Sequence, residues 1–343
     1  MPKFDALIVC VGMCVDGKIE PIETYVGFHV REGFWVNAPL DLQDPEQAGR
    51  LRGIVPEIAI SSITDRFKVI VCLDGLTLLR MQHLADSIPD IANPAQFDDS
   101  VLWWREHLDY ANTLQTCLES ASIQCPESSD IELEALSLTD TCRVGFRGMM
   151  PIRAVAERGR SLMDMRRETI EWIAGGMSQT PPAEVRNPEW KPWRSMSPQA
   201  IRRALRTFEA ASASPDRVKW LSFIAQAKTA FVRGNYIVAF VLLWFVIESV
   251  LNAWKAEHLS VSGNGHVSSA RMIQQLAAAG YIDSVLQSEL GVLRELRNQL
   301  MHQPSSTPCL PFQCARAAQT ALRLSLRNTD LDLMLKWQAS TQF

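Results

Sequence analysis

The sequence holds no Cys-x-x-Cys pair, no glycine-rich phosphate loop and no apolar run long enough to cross a membrane. The first absence removes the spacing that zinc sites and redox-active thiol pairs use. With the 8 cysteines scattered, the expectation is reduced, buried thiols with no metal or disulfide framework, and no cofactor is implied. The second absence removes the phosphate-cradling turn of nucleotide-binding folds. As for the third, the run Tyr236 to Ile247 is 12 residues long. About 20 apolar residues are needed to cross a bilayer core of about 30 Å, so the run reads as a buried core helix. The apolar stretch Ala6 to Val15 follows Asp5 and has only Lys3 as a basic flank, with no small-residue cleavage site after it. It reads as a strand rather than a signal peptide, which sets the expected localisation as cytoplasmic with no membrane partner. Repeats and low-complexity tracts are also lacking.

What is there describes a globular chain of two or three domains: 343 residues, 47% hydrophobic and 21% charged. The net charge of −4 conceals a split. Residues 1–140 carry 9 basic and 23 acidic side chains, residues 141–215 carry 13 and 7, and residues 216–343 carry 12 and 8. An acidic front joined to a basic rear points nucleic acid towards the rear; the competing reading is that complementary halves dock on one another.

Residues 1–140 read as an α+β domain with a sensor or regulatory role. Strands are expected at 6–11, across Ile22 to Val30 with alternating burial, at Phe34 to Val36 and at Lys68 to Leu73, with a turn at Asp16-Gly17. Helical spacing is read at Leu76, Leu79, His83 and Leu84, and again from Asp99 to Leu118. Within residues 141–198 a helix is expected from Pro151 to Trp172, bearing Arg153, Arg158, Arg160, Arg166 and Arg167, followed by a connector rich in proline with Trp190 and Trp193. Residues 199–343 read as all-helical, with helices near 198–212, 216–233, 235–257, 268–279, 283–302 and 312–328 and a tail that forms a short amphipathic helix or a dimer arm. His29, His83, His107, His258 and His266 are isolated and read as structural or surface residues.

The most chemically loaded stretch is LRELRNQLMH, residues 293–302. On a helical wheel, Leu286, Leu290, Leu293, Leu296 and Leu300 form one apolar sector. Arg297 lies at its edge, Asn298 and His302 continue on the polar side, and Arg294 falls between Arg297 and Asn298. Pro304 ends the helix, so His302 stands at the negative end of its dipole. An arginine supplies a bidentate fork for a phosphate, an amide supplies an orienter and an imidazole carries protons near neutral pH. Glu248 interrupts the apolar core helix. A carboxylate there needs a partner, and Arg297 or Arg294 is the candidate.

The order GNYIVAFVLLWFVIESVLNAW, then SSARMIQQLAAAGYI, then LRELRNQLMH resembles the HEPN domain, over roughly residues 216–328. Arg297, Asn298 and His302 stand at the positions of that family's motif, an Arg, a polar residue and a His four to six residues after the Arg. The resemblance implies an all-α HEPN-like bundle that acts as a metal-independent endoribonuclease, often a toxin or antiviral defence effector, with an active site built across a homodimer. In that reading the RNA 2′-hydroxyl attacks its own phosphate. His302 moves protons, Arg297 holds the scissile phosphate, Asn298 orients phosphate or imidazole, and Glu248 and Arg294 support them. One imidazole serves both ends of the reaction poorly, which is a second reason to expect a twofold pair. RNA, including transfer RNA, a second copy and an antitoxin or other regulatory partner are the implied partners. The competing reading is a catalytically inactive HEPN-like adaptor that senses a ligand or assembles with a partner.

Overall fold

The computed structural model describes residues 21–29, 34–41, 44–85, 88–89, 94–156, 194–258, 268–303 and 306–338. The strand expected at 6–11, the turn at Asp16-Gly17, the arginines from Arg158 to Arg167, both connector tryptophans and His266 lie outside them. Eight strands and eight α-helices occur among the described residues. The strands are β1 (Ile22–Phe28), β2 (Phe34–Val36), β3 (Ile58–Ile63), β4 (Phe67–Cys72), β5 (Thr77–Met81), β6 (Thr141–Arg147), β7 (Met150–Ala156) and β8 (Arg194–Met196). The helices are α1 (Pro45–Gly49), α2 (Phe97–Gln124), α3 (Pro198–Ala211), α4 (Pro215–Val232), α5 (Tyr236–His258), α6 (Ser269–Ala278), α7 (Ser284–His302) and α8 (Pro311–Ser325).

Six strands form one antiparallel sheet in the order β3-β4-β5-β1-β6-β7, and β2 pairs with β8 in parallel. β1 lies inside the sheet, so its last four residues are all buried in place of the expected alternation. Gly27 is required there: a Cβ would come within 2.8 Å of Leu78 Cδ2 and 2.9 Å of Cys142 Sγ. The helical spacing read from Leu76 to Leu84 is overturned. Thr77–Met81 is strand β5 between β4 and β1, and Gln82–Leu84 is one 3-10 turn. A strand covered on both faces shows an unbroken apolar run, which periodicity alone does not distinguish from a helix. The helix expected from Pro151 is likewise corrected at its start, because residues 150–156 pair with β6. The expected boundary at residue 140 therefore falls inside the sheet, since β6 and β7 follow it and β6 pairs along the whole of β1.

One sheet face buries Tyr25, Cys72, Leu78, Val144 and Phe146. The other contributes Val26, Phe28, Val69 and Leu79 to a core that continues without a break into the helices. α2 is the seam. Its residues from Tyr110 to Ser122 are all buried, so its polar side chains need internal partners. Several find them in an extended segment and in the bundle, whereas the Gln115 amide has no partner among the described residues. Asn112 Oδ1 accepts from Leu136 N at 2.7 Å, Glu119 Oε2 from Leu133 N at 3.0 Å and Ser122 Oγ from Ile131 N at 3.1 Å, while Thr113 Oγ1 donates to Val218 O at 2.9 Å.

The helical boundaries follow the sequence closely, because caps mark them. Ser197, Ser214 and Ser268 cap α3, α4 and α6, with proline following the first two, and Asp283 Oδ1 accepts from Leu286 N at 2.7 Å to start α7. α5 has the length and composition to cross a membrane, yet it buries Phe240, Trp244, Ile247 and Leu251 among its neighbours as a core helix does. The tail is not a helix. Residues 331–338 run extended along α2, where Met334 N donates to Ser120 Oγ at 2.8 Å and Trp337 packs edge-on against Phe231. The charge split is used in part for docking: Lys228 meets Glu119 at 2.5 Å and Glu132 at 3.5 Å, and Arg233 and Lys336 pair with Glu134 and Asp130.

Candidate functional site

α7 turns its leucines inward as the wheel requires: Leu286, Leu290, Leu293, Leu296 and Leu300 are all buried. That fixes the rim. Arg294, Arg297 and Asn298 are half-buried and face a cleft of about 790 Å³ between α7, α5 and the start of α6. α5 supplies Trp244, Phe245, Glu248, Ser249, Asn252 and Lys255, and α6 supplies Ser268, Ser269, Ala270 and Met272. The wall holds three cationic side chains, Lys255, Arg294 and Arg297, against one carboxylate, Glu248. Its field favours an anion.

The internal bonds of the site differ from the expectation. Glu248 accepts from the Ser269 hydroxyl, and among the described residues neither Arg294 nor Arg297 lies within 4.0 Å of a carboxylate. The predicted Glu248–arginine ion pair is therefore not formed. The physical reason is that Glu248 is half-buried on the open side of α5, where a serine and solvent satisfy it and no buried charge demands a counterion. Arg297 Nη1 donates to Asn298 Oδ1 at 3.1 Å, so the amide orients the guanidinium and leaves the rest of the fork open to the cleft.

His302 is the last residue of α7, exposed, one helical turn past Asn298, and it is not part of the cleft wall. Arg294, Arg297, Asn298 and Glu248 are thus brought together, and His302 is not brought in with them. Beyond α7 the chain returns to the start of α5, where Cys314 Sγ donates to Tyr236 O at 3.1 Å and stands 3.6 Å from Cys309 Sγ. Five of the six described cysteines are buried.

No family model matches the chain, and no curated protein or solved structure does. The chemistry of the site therefore rests on its own geometry: an oriented guanidinium, two further cations, amides and hydroxyls in a cleft of ligand size, with the His302 imidazole outside its wall.

The polar stripe Ser249, Asn252 and Lys255 escaped sequence reasoning, although its signal was present. After Ile247 the unbroken apolar run gives way to polar residues three or four apart, which marks one wetted face in the last turns of a core helix. Two other histidines pack against aromatic rings. His107 is buried against Trp103, ring centroids 3.8 Å apart, with Nδ1 3.1 Å from Trp103 O, and burial pushes its pKa down to about 4. His258 stacks on Tyr281 at 4.4 Å.

Proposed function

We propose that this chain is a metal-independent endoribonuclease of HEPN type, a cytoplasmic toxin or antiviral defence effector restrained by its N-terminal α+β part. The observation that carries the reading is an Arg297 guanidinium held by Asn298, free of any carboxylate among the described residues and flanked by Arg294 and Lys255 in an open cleft. A structural arginine is neutralised by its own fold; this one has its donors ready for a phosphate. In the reaction, Arg297 clamps the scissile phosphate and stabilises the charge that grows on its oxygens, and Arg294 and Lys255 hold neighbouring phosphates. His302 takes the 2′-hydroxyl proton or delivers one to the leaving 5′-oxygen. Its exposed place at the helix end suits a composite site, in which a second copy brings its own His302 to the shared substrate and two imidazoles divide the two proton transfers.

The position of His302 beyond the cleft wall favours one alternative, an inactive binding module that holds nucleic acid without cutting it. End-group chemistry separates the two. Cleavage by 2′-hydroxyl attack leaves 2′,3′-cyclic phosphate and 5′-hydroxyl ends and fails on a strand with 2′-deoxy substitution at the cut site. Uncut RNA, or 5′-phosphate ends, counts against the enzyme.

A further inference from the structure

We infer that the α5 wall of the cleft is a reading site for unpaired bases, with Phe245 as the stacking platform and Asn252 as the residue that contacts base edges. This rests on the ribonuclease reading and deepens it by naming the substrate as single-stranded RNA. Phe245 is 50% exposed, although Phe240 and Trp244 on the same helix are 0% and 1% exposed. A wetted phenyl ring on the wall of a cationic cleft lacks a partner that every nucleobase can supply, since all four present a π-face.

The residues that follow it continue the same wall. Ser249 Oγ accepts from Trp220 Nε1 at 3.0 Å, which fixes its rotamer and leaves its own O–H to donate. Asn252 is exposed, with an amide that has no hydrogen-bond partner among the described residues, so it offers both a donor and an acceptor. Lys255 closes the line with a cation that has no ion-pair partner among the described residues, of the kind that follows a phosphate backbone. Behind Phe245, the indole N–H of Trp244 is buried on the cleft wall without an acceptor among the described residues. From Phe245 to Asn252 the stripe runs about 10 Å along the helix. A cleft of about 790 Å³ takes a nucleotide or two rather than a double helix. Duplex RNA also keeps its major-groove base edges too deep for side chains to read and its base faces stacked, whereas splayed bases expose face and edge together.

The test is fluorescence anisotropy with labelled ten-nucleotide strands of A, U or C and a ten-base-pair duplex, all in a His302→Ala background so that nothing is cut. The expected result is binding of single strands at least tenfold tighter than the duplex, with one base preferred. Phe245→Ala should weaken every single strand about tenfold, and Asn252→Ala should flatten the base preference at little cost in mean affinity. Equal affinity for duplex and single strands, or variants that bind as the parent does, overturns the inference. If the full chain cuts RNA while Phe245→Ala and Asn252→Ala leave affinity and cut sites unchanged, only the base-reading site falls. If binding behaves as expected but no RNA is cut by the His302-intact chain, only the cleavage reading falls. No binding to any RNA overturns both.

Discussion

Replacing Lys228 with Met tests the seam between sheet and bundle. Lys228 is 2% exposed and lies 2.5 Å from Glu119, itself 2% exposed and bonded to Leu133 N. Met keeps most of the aliphatic volume but removes the ammonium, which leaves a buried carboxylate without its counterion. Breaking a buried pair from one side costs about 3–5 kcal/mol. Burial already pushes the Glu119 pKa up, and the lysine opposes that push. Without the lysine the carboxylate escapes part of the penalty by taking up a proton, so the deficit relative to wild type should shrink as pH falls. Glu119→Gln added to Lys228→Met removes the stranded charge and should recover more than half of the loss. Urea denaturation read by tryptophan fluorescence at pH 7.5 and pH 5 gives all three numbers. A loss under 1 kcal/mol at pH 7.5, or a double variant no more stable than the single one, would refute the claim that this pair holds α2 to α4.

Other perturbations address the site and the pH response. Arg297→Lys keeps the charge but not the fork, so cleavage should fall a hundredfold or more with an unchanged melting temperature, and near-wild-type activity would show that a point charge suffices. His107, with its pKa pushed down to about 4 by burial, leaves the folded chain short of a proton that the unfolded chain binds below pH 6.5. Stability therefore falls as pH drops through that window, by about 3 kcal/mol in total, and His107→Leu should be flatter there in paired denaturation curves. Lys255→Ala should lower the slope of log affinity for single-stranded RNA against log salt by about 0.7, the share of one phosphate contact; an unchanged slope removes Lys255 from the phosphate track.

Much of the bundle was legible in the sequence because its signals are local. Ser-Pro pairs at 197–198 and 214–215, the Asp283 cap and the leucine sector of α7 each act within a turn or two, and the helices start and end close to where those signals place them. The sheet was harder to read. β5 and the buried half of β1 are apolar on both faces, and nothing local announces that β6, far along the chain, pairs with β1. The expected division at residue 140 fails for the same reason: strand pairing is a long-range fact. α2 looked like part of the front domain, whereas its polar side chains serve a seam whose other half lies at 131–136 and 218–229. At the cleft, the α7 wall was readable as an arginine and an amide at the edge of a leucine sector. The α5 wall was hidden behind the helix's apolar start, and the placement of Glu248 turned on α6 supplying Ser269, which no spacing within α5 encodes.

The central claim is that Arg297 and His302 act on one RNA strand. It is tested most directly by incubating the full chain with transfer RNA and total RNA in excess EDTA, beside Arg297→Ala and His302→Ala of equal melting temperature. The account predicts discrete cleavage by the wild type and at least a hundredfold loss in each variant; cleavage that survives either substitution, or that vanishes with the chelator, would contradict it.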